Sequence, residues 1–153
     1  MRLIKALAAV AALTFLAACS SQQAAAPATA TTTVTPGSVA DFTQNVGDRV
    51  YFDTDQSTIR EDGRQTLTRQ AEWLKKYTNY PITIAGHCDE RGTREYNLAL
   101  GERRANAARQ YLIAQGVPAA RIKTISYGKE NPDPAGADEQ AWALNRRAIT
   151  ELQ

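Results

Sequence analysis

Ile82-Thr83-Ile84-Ala85-Gly86-His87-Cys88-Asp89-Glu90-Arg91-Gly92-Thr93-Arg94-Glu95-Tyr96-Asn97-Leu98-Ala99-Leu100-Gly101-Glu102-Arg103-Arg104-Ala105 is the stretch whose reading decides the fold. Pro81 precedes it, and Ile82, Ile84 and Gly86 then alternate with Thr83, Ala85 and His87, the two-residue period of a strand. From about Arg94 to Gln115 the pattern is that of a long helix, closed by Gly116 and Pro118 in the expected stop positions. Outward from this core, Arg49-Val50-Tyr51-Phe52 reads as a strand and Asp53-Thr54-Asp55 as a turn. Glu61 to Tyr77 places Leu67, Ala71, Leu74 and Tyr77 at spacings of three and four, which predicts an amphipathic helix. Ile122 to Tyr127 reads as a third strand, residues 128–136 as a loop rich in Pro and Gly, Asp138 to Leu144 as a short helix and Arg147 to Leu152 as a last strand. The order β-α-β-α-β-α-β predicts an α/β sandwich, a mixed four-stranded sheet with helices packed mainly on one face.

The amino end reads as an address. Arg2 and Lys5 form a basic start, and Ala6 to Leu16 is apolar apart from Thr14, a run of about 11 residues that is too short to span a bilayer and fits a secretory signal. It ends in Leu16-Ala17-Ala18-Cys19, which resembles the bacterial lipobox. That resemblance implies that residues 1–18 are removed, that Cys19 is lipidated, and, with Ser20 and not Asp after it, that the anchor lies in the outer membrane. Acyl chains hold a protein by about 0.8 kcal/mol per buried methylene, so such an anchor does not let go. Between Ser20 and about Ala40 stand Ser, Gln, Ala, Pro and Thr with no charge, a composition that cannot bury enough surface to offset ordering entropy. Residues 19–44 therefore read as lipidated cysteine and tether, with a reach of at most roughly 70 Å for its 20-residue polar part, and residues 45–153 as one folded domain.

Charge excludes one class of partner. The chain carries 18 basic and 16 acidic residues, but loss of residues 1–18 takes Arg2 and Lys5 with it, leaving 16 of each. A neutral mature chain gives no case for nucleic acid. With Cys19 lipidated, Cys88 has no partner for an intrachain disulfide.

The informative anomaly lies on the long helix. At 100° per residue, Leu100, Ala107, Ala108 and Tyr111 fall within about 60° of Arg104, so a guanidinium sits inside the apolar stripe. Asn97 and Thr93 continue the same direction toward the helix start. A charge that cannot be lost by deprotonation needs a partner, and Asp89 and Glu90 are the nearest carboxylates in sequence. Asp89 belongs at the carboxyl end of a strand, where α/β sheets keep their ligand sites, and Asp55 occupies the matching place after the first strand. Two carboxylates and one arginine suit a ligand with a free amine and a free carboxylate on one carbon: Asp89 takes the amine and Arg104 the carboxylate. Backbone N–H groups at the helix start near Thr93 could add to the anion site. An internal Arg104–Asp89 salt bridge that only supports the fold fits the spacing equally well.

Residues 86–105, with Tyr127-Gly128 and Asn145-Arg146-Arg147-Ala148, resemble the OmpA-like peptidoglycan-binding domain. Within that family the lipobox, tether and Asp89-Glu90-Arg91-Gly92-Thr93 string resemble the branch of peptidoglycan-associated lipoproteins. The resemblance implies binding to meso-diaminopimelate in peptidoglycan stem peptides. Asp89 and Arg104 match the holding pair; Asp55, Glu90, Arg91, Thr93, Asn97 and Leu100 match the surrounding contacts. Thr54 stands where many relatives have Phe, and Cys88 where many have Thr or Ala. It also implies partnership with TolB and other Tol proteins, a role in envelope integrity and cell division, a domain facing the periplasm, and no enzymatic activity. No cofactor is called for. Three other readings compete: a metal site at His87-Cys88-Asp89, disfavoured because neighbours on a strand face opposite ways; a peptidoglycan hydrolase using Asp55 and Asp89; and a purely structural lipoprotein. Arg146 and Arg147 are adjacent on a strand, so one is expected to support the site and the other to face solvent.

Overall fold

The computed structural model describes residues 34–153, so the signal segment, Cys19 and the first part of the tether lie outside the described residues. One helical turn, α1 (Val39–Asp41), widens into a π turn (Phe42–Val46). Then follow β1 (Arg49–Tyr51), α2 (Glu61–Lys76), β2 (Ile82–His87), α3 (Arg94–Ala114), β3 (Ile122–Gly128), α4 (Glu139–Asn145) and β4 (Arg147–Leu152). From β1 onward each of these strands and helices begins and ends within one residue of where the pattern put it, and an unexpected 3₁₀ turn, Ala119–Arg121, joins α3 to β3. Local chemistry sets several of these ends. The Thr93 hydroxyl accepts from the Tyr96 N–H to start α3, and Asp138 does the same for α4 through Ala141. At the end of α3, Gly116 turns left-handed at φ 95° and lets Val117 N–H reach the Leu112 carbonyl.

The strands lie in the order β1-β4-β2-β3. β4 runs antiparallel to both β1 and β2, and β3 parallel to β2, so the sheet is mixed. Val50, Ile82, Ile84 and Ala148 of the sheet and Phe52 just after β1 pack with Leu67 and Leu74 of α2 and Leu112 of α3 in one core. The predicted α/β sandwich is the observed fold.

The expected boundary at residue 45 falls inside a folded segment. Phe42 is buried with its ring 5.0 Å from that of Trp73. The Trp73 indole N–H donates to Asp41 at 2.8 Å, the Tyr80 hydroxyl to the Gly37 carbonyl at 2.8 Å, and Gln70 Nε2 to the Gly47 carbonyl at 2.7 Å. Composition missed this because one aromatic side chain, placed against α2, outweighs the polar average around it.

The buried stripe of α3 is turned relative to the expected one. Asn97, Leu100, Arg104 and Ala108 are buried as expected, together with Gly101, Ala105 and Leu112, whereas Ala107 and Tyr111 are half-buried. The cause is a close backbone approach: a Cβ on Gly86 would lie 1.8 Å from the Gly101 carbonyl oxygen. Two glycines let α3 settle on β2, and Tyr111 is left to meet Thr68 of α2 at 3.0 Å.

On β2 the His87 side chain is buried beside Tyr127, with ring centroids 5.3 Å apart, and neither ring nitrogen has a hydrogen-bond partner. A nearby backbone carbonyl, that of Asn131, accepts from Arg147 instead. Burial first, and the Arg147 charge second, push the imidazole from 6.5 down to about 4. An unfolded His87 binds a proton near pH 6.5 that the folded one refuses until about 4. Its contribution is therefore complete above pH 6.5 and is lost as pH falls toward 4, by up to about 3 kcal/mol. Urea unfolding at pH 7 and at pH 4.5 is expected to show this loss, and His87→Gln is expected to flatten it; an unchanged slope in that variant would assign the effect to carboxylates.

Candidate functional site

The corner between β2 and α3 and the turn after β1 close around a cavity of about 280 Å³. Its inner wall is Arg104, Leu100, Asn97 and Cys88, all buried, and Asp89 stands at its side. Thr54, Asp55, Arg91 and Tyr96 form an exposed rim. Of the expected residues, Thr54, Asp55, Asp89, Arg91, Asn97, Leu100 and Arg104 are thus brought together.

Two expected residues line no part of it. Glu90 turns outward to accept from the Trp142 indole at 3.2 Å and borders a neighbouring cavity with Lys129. Thr93 uses its hydroxyl to cap α3, which spends one of the backbone N–H groups expected to be open to an anion. Its carbonyl, with that of Arg91, holds the Asn97 amide.

Arg104 departs from expectation in its partners. Only 1% of it is exposed, yet among the described residues no carboxylate comes within ion-pair distance. Nε donates to the Gln56 carbonyl at 2.8 Å, Nη1 to the His87 carbonyl at 2.9 Å and Nη2 to the Asp53 carbonyl at 3.2 Å, with the Phe52 ring 5.2 Å away. The loop after β1 curls back over α3 and supplies carbonyl dipoles where an acid was expected. A guanidinium has five N–H groups, so these three bonds leave one on each Nη. Burial lowers its pKa from the ordinary value, opposed by Cys88 and Asp89, but arginine stays charged at neutral pH. The cavity wall therefore carries a fixed positive charge with no internal anion bonded to it.

Asp89 is paired elsewhere. Arg91 Nη2 reaches it at 2.7 Å and Arg146 Nη1 at 3.3 Å. Burial pushes its carboxyl up, but the hydrogen bonds from the Arg91 side chain, the Arg91 backbone and Arg146 outweigh that and hold it below the usual carboxylate range. Arg146 also binds Glu139 at 2.7 Å and the Phe52 carbonyl, so it is the arginine that supports the site. Arg147 is buried too, against Asn145 and Asn131, and does not face solvent as expected. The loop before α4 covers that face of the sheet, which strand alternation alone could not show.

Tyr96 was missed by the sequence reading; its hydroxyl donates to Asp55, which sits at φ 59°. A tyrosine one turn before Leu100 was the available signal. Cys88 is both core and cavity wall: its thiol donates toward the Asn97 carbonyl, and burial pushes it up to about 11. His87 packs on Tyr127 while Cys88 lines the cavity, and no three metal-binding side chains converge among the described residues.

A family pattern described as the OmpA family matches residues 51–146, from the end of β1 through the whole cavity to Arg146. The chain belongs to the OmpA family. A peptidoglycan-associated lipoprotein of Agrobacterium fabrum is 64% identical over 118 residues, covering 77% of this chain and 67% of that one. The crystal structure of the peptidoglycan-associated lipoprotein from Burkholderia pseudomallei superposes with a TM-score of 0.70 at 40% identity, over 74% of this chain and 98% of that one. The carboxy-terminal domain of Helicobacter pylori MotB shares the OmpA-like fold alone, with a TM-score of 0.65 at 22% identity, over 69% of this chain and 84% of that one.

Proposed function

We propose that this chain is an outer-membrane lipoprotein whose periplasmic domain binds peptidoglycan non-covalently and so ties membrane to wall. The observation that carries this reading is the buried Arg104 guanidinium, which lines the cavity beside Asp89 without a carboxylate of its own. A carboxylate from outside completes it in charge-assisted hydrogen bonds, and Asp89 receives the amine on the same carbon. The free end of meso-diaminopimelate in a stem peptide has that pair of groups, and the cavity is small enough to select an amino acid end and not a large molecule. Relatives named peptidoglycan-associated lipoproteins support peptidoglycan as the partner. Asp55, Tyr96 and Thr54 border the entrance. Anchoring through Cys19 and partnership with TolB and other Tol proteins, in envelope integrity and cell division, complete the role.

A hydrolase is the weaker reading. A general acid needs a carboxyl that keeps its proton near neutral pH, and Asp89 is held ionised by its guanidinium partners. The domain binds and does not cut.

Co-sedimentation with isolated sacculi tests the proposal. Wild type is expected to pellet with the wall, and Asp89→Ala to lose most of that retention while still unfolding cooperatively. In titrations, a stem peptide with diaminopimelate is expected to bind at least tenfold more tightly than its lysine analogue, which lacks the carboxylate. Equal affinities for the two peptides would remove Arg104 from the reading.

A further inference from the structure

The carboxylate given to the ligand's amine is already occupied. Arg91 reaches back two residues and holds Asp89 with both prongs of its guanidinium, Nε to Oδ1 at 3.1 Å and Nη2 to Oδ2 at 2.7 Å, while its backbone N–H donates to Oδ1 at 3.2 Å. Arg146 Nη1 adds a contact to Oδ2 at 3.3 Å. A carboxylate offers about four acceptor sites, and these contacts fill them. An ammonium arriving at Asp89 therefore needs one donor to leave.

The two arginines differ in freedom. The Arg146 side chain is 7% exposed and is tied to Glu139 and to the Phe52 carbonyl as well. The Arg91 side chain is 40% exposed on the cavity rim, and its guanidinium lies 4.3 Å from the centre of the Trp142 ring. Arg91 can release Asp89 and keep its stacking on Trp142, whereas Arg146 cannot leave without unpairing a buried network.

We infer that Arg91 is a specificity-determining residue that stands in for the ligand's amine at Asp89, so the cavity fills by exchanging one cation for another. The ligand class it admits is a zwitterionic α-amino acid end. One ion pair breaks and one forms, and the charge at Asp89 stays balanced. A ligand whose amine is acylated brings no cation and leaves the Arg91–Asp89 pair closed. This inference rests on the stem-peptide reading and reverses the sign expected for Arg91 as an ordinary ligand contact: its removal tightens binding.

The test is calorimetric titration of the full chain in detergent with a diaminopimelate-containing stem tripeptide and with the same peptide acetylated on its free amine. Arg91→Gln is expected to bind the free-amine peptide about two- to fivefold more tightly than wild type, the upper part of the range for losing a half-exposed ion pair as competitor. The acetylated peptide is expected to bind both proteins equally weakly. Arg94→Gln removes a nearby cation that pairs with Glu130 and not with Asp89, and is expected to match wild type. Should Arg91→Gln fail to fold, Arg91→Lys, which keeps the charge and loses the two-pronged grip, is expected to show a smaller gain. Binding by wild type with no gain in either variant would overturn the exchange alone. No binding of the free-amine peptide by wild type or either variant would overturn the stem-peptide reading, and the exchange with it.

Discussion

Arg104→Met is expected to lower the unfolding free energy of the domain by at least about 3 kcal/mol, because three carbonyls lose their donor at once, that of His87 in a buried place and those of Gln56 and Asp53 in part-buried ones. Each such loss costs about 1–3 kcal/mol, and the shortened side chain also leaves a void against Phe52. The effect extends to the site, since the carbonyls of Asp53 and Gln56 belong to the turn that carries Thr54 and Asp55. Arg104→Lys keeps a charge but replaces a planar fork by a point donor. It is expected to lose about half as much stability and at least tenfold in stem-peptide affinity. Urea unfolding followed by the fluorescence of Trp73 and Trp142, with a peptide titration on the folded fraction, measures both. A Met variant within about 1 kcal/mol of wild type would mean that the loop carbonyls find other donors and that Arg104 does not organise the turn.

Gly86→Ala is expected to be at least as damaging, at about 3 kcal/mol or more, for a different reason. The added methyl would meet the carbonyl of Gly101 at 1.8 Å, and that obstacle is helix backbone with no rotamer to change. Helix α3 has to rise off β2, which draws Arg104 away from the His87 carbonyl one residue along the strand. Stability and binding are expected to fail together. Gly101→Ala meets the Ser126 hydroxyl at 2.3 Å, a group that can be removed, and the Gly86 carbonyl oxygen less closely at 2.9 Å. It is expected to cost less than Gly86→Ala, and Ser126→Ala is expected to recover part of the loss in a double-mutant cycle. If Gly86→Ala unfolds with an unchanged midpoint, the close packing of α3 on the sheet is not what fixes the cavity.

The ends of α2, α3 and β2 were legible because each carries its own local signal: alternation after Pro81, three- and four-residue spacing in 67–77, Gly116 and Pro118 after α3. The placement of Phe42 was not legible, since a single aromatic in a Ser, Thr and Ala background gains its meaning only from Trp73 lying 5.0 Å away. Arg104 and Asp89 were legible as members of one site, but not as partners of other groups. Strand and helix periods give the side on which a residue lies; they do not say whether a carbonyl from the turn at 53–56 or a carboxylate arrives there first.

The sequence by itself determined the order of elements, the family and the placing of Asp89 and Arg104 on either side of the β2–α3 corner, because periodicity, capping and contiguous motif residues act over a few neighbours along the chain. Only the tertiary structure decided that Arg104 is bound by carbonyls and left without an acid, that Arg91 and Arg146 divide Asp89 between them, and that Gly86 and Gly101 let a helix touch a strand. Those facts depend on contacts between residues up to about 57 positions apart, and the geometry of such contacts is set by how layers pack, which no local pattern encodes.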